Sequence, residues 1–84
     1  MAVRLTAEEQ SADVVVRKGK HDYRIYPISD AALRWLKGRT PNAQWNRISG
    51  QQAMTASHSD TARLVMDCRH NDFRVRGRFP GEPS

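Results

Sequence analysis

The sequence predicts an α+β domain: a small antiparallel sheet, made of an N-terminal hairpin plus a C-terminal strand, with two short helices packed on one face. Three observations lead there. Two β-rich runs, DVVVRK (13–18) and YRIYPI (23–28), are separated only by the polar loop GKHD. ISDAALRWLKG (28–38) and the stretch from about Ser59 to His70 carry helix caps and helical apolar spacing. FRVRGRF (73–79) alternates apolar and basic residues at the period of a strand. Few strands and two short helices are most economically buried by layering the helices on one sheet face, which leaves the other face open.

Each element has a local cause. The two β-rich runs are dense in Val, Ile and Tyr, and their short separation at Gly19 reads as an antiparallel hairpin. Pro27 lacks an N–H, which places it at a strand end or on an edge. In the first helix Ser29 is the expected N-cap, with Asp30 at the positive end of the dipole. Ile28 and Leu33 have the hydrophobic-staple spacing, and Asp30 and Arg34 are four apart. Gly38 is the expected left-handed C-terminal residue, and Pro41 prevents continuation. Residues 40–52 read as a loop around Trp45, and 53–57 as a short strand or the approach to the next helix. Ser57 or Ser59 can cap the second helix, whose apolar stripe is Leu64, Val65 and Cys68. Arg63 and Asp67 pair across one of its turns, and Asn71 supplies the left-handed turn that ends it.

Thr6 to Glu9 fits a capping box, yet no apolar run follows it, so residues 1–12 are expected to form a mobile tail. Residues 13–79 are the single domain, and the Pro- and Gly-rich 80–84 a disordered tail. A chain of 84 residues buries only about 60–65% of its unfolded surface, so the core is small.

The composition narrows the function. Fourteen basic residues against nine acidic give a net charge of +5, and eleven of the fourteen are Arg. Arginine presents a planar donor fork that grips carboxylate or phosphate bidentately, so the bias favours an anionic partner. The single Cys68 excludes an internal disulfide and is expected to be a small buried apolar residue. No apolar run approaches the ~18 residues of a membrane span, and the N-terminus has acids where a signal peptide is apolar. A cytoplasmic protein with no membrane contact is the expectation.

No catalytic pattern is present. His58, Ser59 and Asp60 are consecutive, and sequence neighbours rarely meet side chain to side chain. No phosphate loop, paired-carboxylate motif or metal-ligand spacing occurs, so neither enzyme activity, cofactor nor metal is expected. The candidate site is basic. Arg74, Arg76 and Arg78 fall on one side of an ideal strand about 6.5–7 Å apart. A bulge at Gly77 would separate Arg78 from the other two. Arg17, Lys18, Lys20 and Arg24 form a second basic group around the hairpin, and the two groups merge if the last strand lies beside it. Trp45 is either a cap on the core edge or an exposed anchor for a partner. The same arginines also suit a solvated edge strand whose charges discourage edge-to-edge pairing.

The run IYPISDAALRWL, a Trp-bearing loop, a second capped helix and a short final strand resemble short orphan proteins of bacterial mobile elements and prophages, over residues 25–76. The resemblance implies a bacterial host and a small non-catalytic binder. Some such proteins inhibit host defence complexes by occupying their surfaces, and others bind DNA. The expected function is therefore docking of the arginine-rich face on an acidic protein surface, as an inhibitor or modulator of host nucleoprotein machinery. Direct nucleic-acid binding and self-assembly as a structural accessory protein are the alternatives.

Overall fold

The computed structural model describes residues 5–40, 43–48 and 51–80. The elements in chain order are α1 (Ala7–Gln10), β1 (Val14–Lys18), β2 (Tyr23–Pro27), α2 (Asp30–Arg39), β3 (Trp45–Ile48), β4 (Gln51–Ala56), α3 (His58–His70) and β5 (Val75–Gly77). The α+β class and the packing of the two longer helices, α2 and α3, on one sheet face are as the sequence predicts. The sheet is larger than expected and mixed: five strands in the order β3-β4-β2-β1-β5.

The β1–β2 hairpin is antiparallel, with Val16 opposite Ile25 and Arg17 opposite Arg24. β2 pairs antiparallel with β4, and β4 with β3. β5 lies on the other side of β1 and runs parallel to it, Val14 opposite Val75 and Val15 opposite Arg76. This corrects the all-antiparallel expectation. Its cause is α3: 13 helical residues carry the chain about 20 Å back along the sheet, so β5 starts from the same end as β4 and β1.

Strand alternation sorts the apolar residues into two layers. Val14, Val16, Tyr23, Ile25, Met54 and Val75 meet Ala32 and Leu36 of α2 and Leu64, Val65 and Cys68 of α3, with Phe79 closing one end. Val15, Tyr26 and Ala53 face the opposite side, where Ala12, Leu5 and Ile28 pack on them. The second layer is small and was not legible in the sequence. Ile28 belongs to it, not to a staple on α2.

The helix starts are where the sequence puts them. Ser29 Oγ accepts the Ala32 N–H at 3.2 Å, and Ser57 Oγ accepts that of Asp60 at 3.2 Å. The helix ends differ. α2 runs through Gly38 and closes at Thr40, whose N–H and hydroxyl both donate to the Leu36 carbonyl, at 2.9 and 2.6 Å. A side-chain donor at Thr40 makes a glycine terminus unnecessary. At the end of α3 the left-handed residue is Asp72 (φ 63°), one past Asn71, which keeps φ −99°. Asp67 takes two hydrogen bonds from Arg39, at 2.6 and 3.2 Å, and so ties α3 to α2 instead of pairing with Arg63 along its own helix.

Gly38 then sits inside a helix with nothing within 4 Å of where a Cβ would stand. Gly38→Ala should raise stability by about 0.5–1 kcal/mol, because alanine loses less backbone entropy on folding. Urea denaturation reads the gain as a higher midpoint at unchanged slope.

Residues 5–12, expected as part of a tail, are docked on the sheet. Glu9 N–H donates to Thr6 Oγ1 at 3.2 Å and Thr6 N–H to Glu9 Oε1 at 2.9 Å, completing the capping box at α1. Ala12 is buried against Val15 and Tyr26. The apolar support for this turn is tertiary, which is why no local apolar run announces it. Residues 81–84 of the expected C-terminal tail and 1–4 of the N-terminal one lie outside the described residues.

Candidate binding face

The hairpin and β5 bring the two basic groups together, because β5 adds at the free side of β1. Val16, Ile25 and Val75 point at the helices, so Arg17, Arg24 and Arg76 point away from them. Two rows cross the strands on this face. One is Arg76–Val15–Tyr26, the other Arg17–Arg24–Thr55. Arg17 and Arg24 are directly opposite, a pairing that repels unless an anion lies between or beside them.

That anion is Glu9 of α1. Its carboxylate accepts Arg17 Nη2 at 3.1 and 3.3 Å, and the Glu9 side chain is only 11% exposed against 40% for Arg17. Arg24, Arg74, Arg76 and Arg78 are exposed, and among the described residues none of them forms a salt bridge. Lys18 and Lys20 are exposed on the hairpin, where Gly19 N–H donates to the Asp22 carbonyl at 2.7 Å.

The three arginines of FRVRGRF do not form the simple ladder expected of a regular strand. β5 covers only Val75–Gly77, so Arg76 lies in it and Arg74 and Arg78 flank it. Arg74 sits beside an acid: its N–H donates to the Asp13 carboxylate at 2.9 Å, and its carbonyl accepts the N–H groups of Asp13 and Val14. Gly77 takes φ 103°, the break anticipated at that position. The ladder nevertheless resumes, with Arg78 N–H donating to the Val16 carbonyl at 2.8 Å. Arg78 thereby joins Arg17, Lys18 and Glu9 around a shallow depression of about 270 Å³.

Trp45 is not an exposed anchor. It is half-buried on the helix side of β3, packed against the main core, with the Lys37 ammonium 5.5 Å from its ring centroid. The other aromatics are likewise committed. Tyr23, Tyr26 and Phe79 are buried, while Trp35 and Phe73 meet at a tilt of 52° with centroids 5.3 Å apart, against the core. The residue that sequence reasoning missed at this face is Glu9, and the capping-box spacing Thr6–Glu9 was its signal.

The remaining chemistry-bearing groups make structural contacts. Burial pushes the Cys68 thiol up to about 11, with neighbouring Asp67 adding to the shift, so the thiolate nucleophile is suppressed. His58, Ser59 and Asp60 open α3, where Ser57 caps Asp60 and His58 Nδ1 lies 3.3 Å from the Tyr23 hydroxyl. A groove of about 430 Å³ between α3 and β4 is lined by Arg39, Asp60, Arg63 and Asp67 over Met54 and Leu64. Two of its four charged groups already neutralise each other. Among the described residues no group of three or more His, Cys, Asp or Glu side chains is placed to hold a metal ion. No described helix is long and apolar enough to cross a membrane.

The class defined by this geometry is a small α+β domain with one basic sheet face, partly covered by residues 5–12. Comparison with models of known protein families, with curated proteins and with solved structures gives no match.

Proposed function

We propose that the chain is a non-catalytic binding protein that docks its arginine-rich sheet face on an acidic protein surface in the bacterial cytoplasm, as an inhibitor or modulator of nucleoprotein machinery encoded by a mobile element. The observation that carries this reading is the grouping of exposed Arg24, Arg76 and Arg78 around the Arg17–Glu9 pair. Guanidinium forks held on strands are spaced to meet carboxylates presented by a second folded surface. A protein partner is favoured over single-stranded nucleic acid because, among the described residues, no Phe, Tyr or Trp ring on this face is open for base stacking, Tyr26 being buried there.

The test is charge reversal at the exposed positions. Arg24→Glu, Arg76→Glu and Arg78→Glu together should abolish capture of protein from nuclease-treated bacterial lysate while circular dichroism stays unchanged. Retention of random-sequence DNA or RNA by the wild type, with a steep salt slope, would replace this reading with direct phosphate binding. Capture of the same proteins by wild type and triple variant would remove the face from the argument.

A further inference from the structure

We propose that residues 5–12 form an acidic strap that occupies Arg17 in the free protein, and that a carboxylate of the acidic protein partner takes the place of Glu9 there. The proposal rests on the reading of the face just given and adds how that face is regulated.

The strap lies on the same side of the sheet as the arginines. Leu5 and Ala12 pack with Val15, Tyr26 and Ala53, and Glu9 reaches Arg17 with Nη2–Oε distances of 3.1 and 3.3 Å. Its contact is the geometry an acidic ligand would use: a carboxylate on a guanidinium, beside a second arginine directly across the strands. Glu9 is thus an internal stand-in for the partner's acid. The depression that Arg78 and Lys18 share with Arg17 opens beside the Glu9 carboxylate and gives an incoming acid its approach.

The strap draws little support from its own helix. α1 has four residues, far short of the length at which a helix supports itself. Among its holds are the capping box, the packing of Leu5 and Ala12 with Val15, Tyr26 and Ala53, and the ion pair of the nearly buried Glu9 with the partly exposed Arg17. The chain after it is fixed independently, because Asp13 and Val14 N–H both donate to the Arg74 carbonyl. Release of residues 5–12 therefore leaves β1 in the sheet.

Glutamine separates the two duties of Glu9. Its amide oxygen still accepts the Thr6 N–H, so the capping box survives, while the negative charge facing Arg17 is lost. The experiment measures binding of a fluorescein-labelled Glu-rich peptide of about ten residues to the full chain, to Glu9→Gln, and to Asp60→Asn. The last removes an acid from α3, on the far side of the sheet, and reports the effect of one unit of net charge alone. Glu9→Gln should bind about three- to tenfold more tightly than Asp60→Asn. Adding Arg17→Gln should erase that difference.

Hydrogen exchange supplies a second readout. Saturating peptide should speed exchange of the amides of residues 5–12 in the wild type, since the strap is displaced. Equal affinities of Glu9→Gln and Asp60→Asn, or slower exchange of the strap on binding, would overturn the exchange mechanism and leave the basic face standing. Absence of binding in every form would overturn both.

Discussion

Gly77→Ala is expected to lower the stability of the domain by about 3 kcal/mol or more, a large share of what a domain of this size has. Two costs add. The residue sits at φ 103°, a region that L side chains rarely adopt, at a cost of order 1–3 kcal/mol. A Cβ there would also be driven into the Val16 carbonyl oxygen, which is main chain and cannot turn aside. That carbonyl is the acceptor for Arg78 N–H, so relieving the clash breaks the last bond of the β1–β5 ladder. Phe79, buried beneath the Arg69 guanidinium at 5.1 Å from its centroid, would lose its seat as well. Urea unfolding followed by Trp fluorescence measures the effect. An unchanged midpoint would mean that β5 does not lie against β1 as described, and the merged basic face would go with it.

Leu36→Ala should cost about 2–5 kcal/mol, the range for truncating a fully buried leucine. Leu36 is 0% exposed and is the larger of the two fully buried residues that α2 contributes to the main core. Arg39 ties the end of α2 to Asp67 of α3, which hinders the helix from sliding inward to fill the space. The expected loss therefore lies in the upper half of the range. The two substitutions are separable by their effect on the site. Gly77→Ala displaces Arg78, whereas Leu36→Ala acts on the far side of the sheet and leaves Arg17, Arg24 and Arg76 in place in the molecules that remain folded. Peptide affinity per folded molecule should fall for the first and hold for the second. Equal losses of stability with the site equally affected would contradict the two-layer division of the core.

What could be read from the sequence was what short-range chemistry decides. Ser29 and Ser57 cap helices because a hydroxyl two or three residues from an amide needs no distant partner. The β1–β2 hairpin follows from two dense runs of β-branched and aromatic residues across a short loop. What could not be read depended on distant contacts. β3 and β4 are built from Trp-Asn-Arg-Ile and Gln-Gln-Ala-Met-Thr-Ala, sequences of weak strand preference that become strands because β2 offers an edge and the helices offer a lid. Thr40 replaces Gly38 as the end of α2 through a side-chain bond that a glycine-based rule does not consider. Asp67 chooses Arg39, 28 residues away, over Arg63 one turn away on its own helix. At the candidate site the arginines were legible by alternation, and their union was not, since it rests on β5 choosing the β1 side of the sheet. Glu9 was visible as half of a capping box, but its partner Arg17 was visible only in three dimensions.

The parallel pairing of β5 with β1 also bears on how the chain reaches its native state. The Asp13 carboxylate is bonded to an amide 61 positions later, and the intervening chain must first be threaded through two helical crossovers. Pairings this remote in sequence make folding slow relative to a helical bundle of equal size. A nascent polypeptide that has not yet emerged as far as Val75 leaves one flank of β1 bare, so maturation must finish late, and chaperone binding during synthesis should concentrate on the valines of that strand.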